Sequence, residues 1–424
     1  MVIPTQAITN SATLHAIIAT HVIKANMVYC SPVMEAYRKI GLLIERTRAY
    51  GRELCEGIIT YAQCRPWEIQ YLAPADFQHR RQNRFDGFIA RVMTPEIAQL
   101  LANTKKPVVD VFCNYPAFRF ALVKEKHAAI GKLAAEHFID RRFSNFGFCP
   151  YGAGKTSAYC RSAYVLSLRR AGFNCHLFTS SSETAHKADA HEVIGDQIAR
   201  PRDARALSTW IKRLPKPIGI FCPDDLRAWQ VLGICRDNMI RVPEDVAVLG
   251  LDNDLLICGA THPMLSSIDP NTREIGRTAA ETLDQLLLAT EPPSRQIIRQ
   301  IEPRGVVPRR STETYPLDPP WLSDALVYIS REATNGISAC DVFAHLKKSH
   351  TLVTRAFART LGLSVQKQIA KVRLEKACRL LTSTTLGLAD IAQKSGFSST
   401  TYFLQSFSAA FDISPTTYRT QAKA

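Results

Sequence analysis

The stretch Asn145–Arg161, NFGFCPYGAGKTSAYCR, has the outline of a nucleotide site. A β-type run, Phe146 to Cys149, leads into Gly152, Ala153, Gly154, Lys155 and Thr156. Farther on, VAVLGLDND ends an apolar strand on Asp252, where a magnesium-holding acid would stand. Spacing decides against this. A phosphate loop needs a glycine five residues before the glycine of its Gly-Lys-Thr, because backbone N–H groups must wrap the phosphates. Five before Gly154 is Cys149, inside the strand, and Pro150 has no N–H to donate. An ATP-using sugar kinase is therefore only the alternative reading. The turn is expected to be a hinge-side loop at a ligand mouth, with no catalytic residue and no cofactor.

Working outward, short apolar strands alternate with amphipathic helices from Arg38 to about Arg310. KIGLLI, FDGFIARV, KPVVDVFC, NFGFCP, PIGIFCP and VAVLGLD read as strands. YGRELCEGIITYAQ, PEIAQLLANT, AAIGKLAAEHFIDR, CRSAYVLSLRRAG and DDLRAWQVLGICRDN read as helices between them. Strands apolar on both faces in βαβ order imply parallel sheets covered by helices. The region is long enough for two such lobes. STETYPLDPP, 311–320, breaks the pattern with three prolines.

Beyond Trp321 the chain reads as helices. It carries 13 Lys and Arg against 6 Asp and Glu, so a quarter of the length holds +7 of the +15 net charge. Such an excess suits a polyanionic partner. This part repeats itself at a period of 50: Ser349 and Ser399, Val353 and Phe403, Phe357 and Phe407, Leu361 and Phe411, Ser364 and Ser414. Each copy is a short helix, a turn and a longer helix, and VQKQIAKVRLEKACRLL joins them. Helix-turn-helix units lay their second helix in a DNA major groove, its early turns touching bases. His350, Thr351, Thr354 and Arg355 occupy those turns in the first copy, and Ser399, Thr400, Thr401 and Gln405 in the second. Arg355 suits guanine and Gln405 adenine, while Arg359 and Lys367 lie later and suit phosphates. Phe357 and Phe407 are expected in the core.

The remaining signals are weaker. Twelve cysteines without a C-x-x-C pair argue for reduced buried thiols rather than a metal site or disulfides. No apolar run approaches the roughly 20 residues of a membrane span, and no basic residue opens the N-terminus as in a signal peptide. A cytoplasmic location is expected. In open parallel sheets ligands bind at the carboxyl ends of strands. Asp224, Asp225, Asp252, Asp254, Arg46 and Arg48 follow strands, and Arg161 is expected to open the helix after the glycine-rich loop. Acids and arginines together suit a polyhydroxylated ligand.

VPEDVAVLGLDND, PMLSSIDPNTREIGRTAAETL and RGVVPRRST resemble the effector domains of LacI/GalR-type repressors. GLADIAQKSGFSSTTYFLQSFSAAFDISPTTYR resembles the signature of AraC/XylS-type regulators, with its Ser-Pro-x-x-Tyr-Arg ending at Arg419. Together they resemble the xylose-operon regulator family from Tyr37 onward. The resemblance implies a two-lobed periplasmic-binding-protein-like α/β ligand domain, 37–312, and a linker, 313–320. It implies an all-α domain with two helix-turn-helix units at 321–424, with residues 1–36 an extension or misassigned start. It also implies sugar contacts from Arg161 and Asp252, with Asp224 or Asp225 nearby. Operator DNA, a sugar effector, a second copy in a homodimer and RNA polymerase are the implied partners. Lys126 departs from the pattern, standing where many relatives carry an Asp.

Overall fold

The computed structural model describes residues 37–73, 84–150, 155–179, 203–291 and 293–423. Two six-stranded sheets form its first part. Lobe 1 contains β1 (Arg38–Leu43), β2 (Trp67–Tyr71), β3 (Gly87–Ala90), β4 (Val108–Asp110), β5 (Ala121–Glu125) and β11 (Ile298–Ile301). Its order is β11-β5-β4-β3-β1-β2, and every pairing is parallel. Lobe 2 contains β6 (Phe146–Phe148), β7 (Cys175–Leu177), β8 (Ile218–Phe221), β9 (Val246–Leu251), β10 (Ser266–Asp269) and β12 (Gly305–Val307), ordered β12-β10-β9-β8-β6-β7.

Helices cover both faces because the strands are apolar on both. In lobe 1, Ile40, Leu42, Ile89, Val109 and Val123 pack against α1 (Ala49–Ala62) and α8 (Thr272–Leu288). Phe88 and Val108 point the other way, onto α2 (Pro95–Asn103), which Thr94 caps and Pro95 opens. α1 and α8 cross at two glycines. A Cβ on Gly57 would lie 2.0 Å from the Arg273 carbonyl oxygen, and one on Gly276 would lie 2.1 Å from that of Leu54. In lobe 2, Phe146, Phe148, Phe221 and Leu249 meet α3 (His127–Asp140) and α4 (Lys155–Arg170). Ile218, Ile220, Val246 and Val248 meet α5 (Ala204–Arg213), α6 (Asp225–Asp237) and the short α7 (Leu255–Ala260).

The chain passes between the lobes three times: from β5 to α3, from β10 to α8, and from β11 to β12. The carboxyl ends of the parallel strands face the cleft between them. β11 delivers the chain to that cleft, so β12 enters lobe 2 from the cleft side and pairs antiparallel with β10. Among the described strands this is the one departure from the parallel sheets that the sequence pattern implies. α4 also begins earlier than the sequence suggests, at Lys155, so Arg161 sits inside the helix rather than at its start. The Gly152–Gly154 turn lies outside the described residues, as do 1–36.

The segment after β12 is bonded on both sides rather than a loose tether. The Ser323 hydroxyl receives the Tyr315 amide at 3.0 Å, and Glu313 pairs with Arg331. Tyr315 and Leu317 pack onto the core of the helical part. That part has α9 (Trp321–Glu332), α10 (Ala339–Leu346), α11 (His350–Leu361), α12 (Val365–Ser383), α13 (Leu388–Lys394), α14 (Thr400–Phe411) and α15 (Pro415–Lys423). It has two cores. Leu326, Ile329, Val342, Val353, Phe357 and Ile369 form one, and Leu381, Ile391, Phe397, Phe403 and Phe407 the other. α12 gives its first half to one and its second half to the other. No helix among the described residues is long and apolar enough to cross a membrane.

Candidate functional site

The cleft is built where strands end and helices begin. From lobe 1 come Arg48 and Tyr50 after β1, Arg91 after β3, and Glu125 and His127 around the first crossing. Tyr50 donates its hydroxyl to the buried Glu125 carboxylate. The Arg91 guanidinium lies over the Tyr50 ring at 5.0 Å and the Phe112 ring at 4.5 Å. Its Nε is buried with no hydrogen-bond partner among the described residues. His127 stands 3.5 Å from Glu125 and tilts against the Tyr159 ring of α4, which brings lobe 2 to the same place. Burial pulls the His127 imidazole below its usual range.

From lobe 2 come Asp224 and Asp252. Asp224 caps α6 through the amides of Leu226 and Arg227, and its other oxygen meets Arg48 at 3.4 Å, across the lobes. A second link joins the lobes where the Ala49 amide donates to Asp254 at 3.2 Å. Asp252 has a φ of 107° and Asn253 one of 52°, left-handed conformations that side-chain-bearing residues rarely adopt. Such strain gathers at sites where the surroundings dictate the backbone. Burial raises the Asp252 carboxyl well above the usual carboxylate range. The charges of Asp224, Asp225 and Glu125 push the same way, and Arg91 opposes them. Asp252 of lobe 2 thus feels both the acid and the arginine of lobe 1.

Three sequence candidates fall elsewhere. Asp225 is a buried hub: it accepts from the Ser267 hydroxyl at 2.6 Å and the Asp254 amide at 2.8 Å, beside Cys258. Its oxygen occupies the space a side chain on Gly250 would need, only 2.0 Å from where that Cβ would be. Burial lifts this carboxyl to about 8. Arg161 lies on the exposed face of α4, next to the buried Cys160, and no hydrogen bond or ion pair among the described residues ties it to the cleft acids. Arg46 is drawn aside over the Tyr71 ring at 4.0 Å. Tyr50, Arg91, Glu125 and His127 were not singled out from sequence. Lys126, the departure from the family pattern, is half-exposed and pairs with Glu302 at another crossing.

The helical part places its repeat as a repeat. Ser349 caps α11 through the Leu352 amide and Ser399 caps α14 through that of Tyr402. Ser364 and Ser414 cap α12 and α15 in the same way. Gly362 and Asp412 end the two longer helices with φ of 68° and 57°. Phe357 and Phe407 are fully buried, as are Val353 and Phe403. His350, Thr351, Arg355, Arg359, Ser399, Thr401 and Gln405 are exposed, with Thr354 and Thr400 half-buried at the edge. Arg355 and Gln405 occupy equivalent positions. So do Leu352 and Tyr402, which the sequence did not flag and which stay 48% and 45% exposed despite being apolar.

Residues 135–312 match the periplasmic binding protein-like domain, and residues 343–421 match a helix-turn-helix domain. The xylose operon regulatory protein of Escherichia coli (strain K12) is 30% identical over 393 residues, covering 90% of this chain and 96% of that one. The chain belongs to the xylose operon regulatory protein family. Its Haemophilus influenzae relative of the same description is 28% identical over 91% of this chain and 99% of its own. A solved structure described as the xylose-binding transcription activator xylR matches with a TM-score of 0.55 at 27% identity, over 91% of this chain and 98% of that one. A periplasmic-binding ribose operon repressor from Lactobacillus acidophilus shares the fold, with a TM-score of 0.51 at 18% identity. As a member of the xylose operon regulatory protein family, the chain is a ligand-responsive, DNA-binding transcription regulator. Its relatives are regulators rather than enzymes.

Proposed function

We propose that this regulator senses a sugar, xylose or a related pentose, in the interlobe cleft and thereby controls a sugar-utilisation operon. The observation that carries this reading is Arg91, which lies over Tyr50 and Phe112 with its Nε buried and without a hydrogen-bond partner among the described residues, near enough to Asp252 to oppose the rise of its carboxyl. Aromatic faces with donors and acceptors at their rim suit a ring that presents hydroxyls on every edge. The descriptions of the relatives support the choice of xylose. Sugar held by both lobes would favour the form in which Arg48 meets Asp224, by its differential affinity for that form. The domain division proposed is 37–312 for sensing, 313–320 for linkage and 321–424 for DNA. Action in the cytoplasm as a homodimer completes the reading, with the exposed pair Leu255 and Leu256 offering an apolar face to a second copy. The relative's description as an activator supports contact with RNA polymerase.

Asp252→Ala tests the cleft. Loss of hydrogen bonds between a carboxyl group and the sugar hydroxyls should weaken xylose binding by about 1.5–3 kcal/mol. Operator affinity without sugar should stay near that of the parent. Titration calorimetry and a gel-shift assay read the two quantities. Equal loss of DNA binding without sugar would make Asp252 a structural residue, and no heat with any pentose would remove the sugar reading.

Operator contact is proposed for the early turns of α11 and α14. α12 spans 19 residues, about 28 Å at 1.5 Å per residue, and carries one unit on each half, so the two are placed to engage successive major grooves on one face of the duplex. Arg355→Ala should relax preference at one base position by about 1–3 kcal/mol. Arg359→Ala should instead weaken all sequences alike and flatten the salt dependence by roughly one counterion. Binding to a panel of singly substituted operators at several salt concentrations separates them. Identical profiles for the two variants would contradict the assignment.

A further inference from the structure

We propose that Arg309 is the positioning residue through which the state of the cleft reaches the first DNA-binding unit. The proposal rests on the cleft being the effector site. Arg309 leaves β12 and spans lobe 2. Its Nη2 donates to the Asn253 side-chain oxygen at 2.7 Å, and its Nη1 donates to the Leu265 carbonyl at 2.8 Å. Asn253 is the neighbour of Asp252 in the strained cleft loop, and its own amide is fixed by the Ser267 hydroxyl at 3.0 Å. One side chain therefore touches the loop that would feel the ligand.

The backbone of the same residue begins a strap that is stitched to lobe 2 by buried hydroxyls. The Arg309 amide donates to Ser266 Oγ at 2.8 Å, and the Ser266 hydroxyl lies 2.8 Å from the Arg309 carbonyl. Ser311 donates to the Val248 carbonyl and receives the Ser266 amide. Thr312 bonds Ser266 and lies 2.9 Å from His137 Nε2, while Arg141 donates to the Thr312 carbonyl at 3.1 Å. Ser266, Ser311 and Thr312 are fully buried. Three residues on, Tyr315 receives Arg141 over its ring at 5.9 Å and packs into the core that holds Phe357. The strap is thus rigid from end to end, with a charged sensor at one end and the α9–α11 core at the other. A shift of the 252–254 loop pulls on Arg309, and the strap has no slack in which to lose it.

The strap also makes Arg309 separable from binding. Among the described residues, Arg309 bonds neither the cleft aromatics nor the recognition helices. In the ligand-free full-length protein, Arg309→Met should raise amide hydrogen exchange about fivefold or more in the 252–257 loop and in α9, leaving β1–β4 and α13–α15 as in the parent. With d-xylose, the variant should bind sugar and operator within about twofold of the parent, yet the effect of one on the other should fall from the usual 5-fold or greater coupling to under about 2-fold. Arg309→Lys, which keeps one donor, should recover part of the coupling. Exchange that rises only at 309–312, or coupling that survives in Arg309→Met, would overturn the proposal. If the parent ignores d-xylose, the sugar reading fails, and the ligand-free exchange pattern alone decides the role of Arg309.

Discussion

Phe357→Ala should remove the first DNA-binding unit while leaving the sensor intact. Phe357 is fully buried among Leu326, Ile329, Val342, Val353 and Ile369, and truncating such a ring typically costs about 3–5 kcal/mol, including the cavity left behind. A unit of some fifty residues has little more than that to lose, since small cores are marginal. Unfolding α10 and α11 takes His350, Thr351, Thr354 and Arg355 away together. The expected footprint therefore shrinks from two major-groove segments to one, because Phe407 belongs to the separate core of Phe403, Leu381 and Ile391. Sugar binding should persist, as the lobes have cores of their own. DNase protection and near-ultraviolet dichroism would check both halves of the claim. A full two-segment footprint at normal affinity would show that Phe357 packs less critically than its burial indicates.

Asp203→Ala should destabilise lobe 2 by about 3–5 kcal/mol, the usual consequence of leaving a buried charge unpaired. The charge is Arg227, 1% exposed on α6. Its two terminal nitrogens meet Asp203 at 3.1 and 2.8 Å, its Nε meets Cys149 Sγ at 3.3 Å, and Gln230 takes a further donor at 3.1 Å. Phe178 covers the guanidinium. Without Asp203 no carboxylate remains in that set. A second substitution, Arg227→Met in the same chain, should recover most of the loss, since an apolar pair of similar volume often equals a buried ion pair. Urea unfolding followed by the fluorescence of Trp210 and Trp229 would measure both. A single variant as stable as the parent would mean that water or a neighbouring group replaces Asp203.

The helical part was legible because its signals came in duplicate. One buried phenylalanine is ambiguous, but Phe357 and Phe407 fifty residues apart, with serine caps in step, leave few folds that satisfy both. The lobes were legible as a class through apolar strands in alternation with helices. The cleft was not, and its residues show why. Tyr50 and Glu125 are 75 positions apart, and Arg91 at the end of FDGFIARV looks like any solvated arginine until Tyr50 and Phe112 close around it. Asp225 looked like its neighbour Asp224, yet α6 turns one toward Arg48 and the other into the core beside Gly250. PMLSSID and RGVVPRRST stood as separate family marks. In the fold they are one structure, since Ser266 is bonded to both Arg309 and Ser311.

The shared helix α12 acts as a crankshaft between two readers. Both cores grip it, and Arg373 in its middle donates to the Ala333 and Ile337 carbonyls at 2.8 and 2.7 Å, so it cannot slip against the first unit. Each added residue would advance the second unit by 1.5 Å but turn it by about 100°, nearly three times the twist of one base pair. On the proposed docking, single-residue insertions or deletions in α12 would therefore throw the second reader off the groove instead of moving it to a neighbouring base. Base substitutions in an operator can be answered one at a time by changes on α11 or α14. The distance between its two halves has no such gradual route, and on the proposed docking it is the property of the operator that evolution of this chain can least follow.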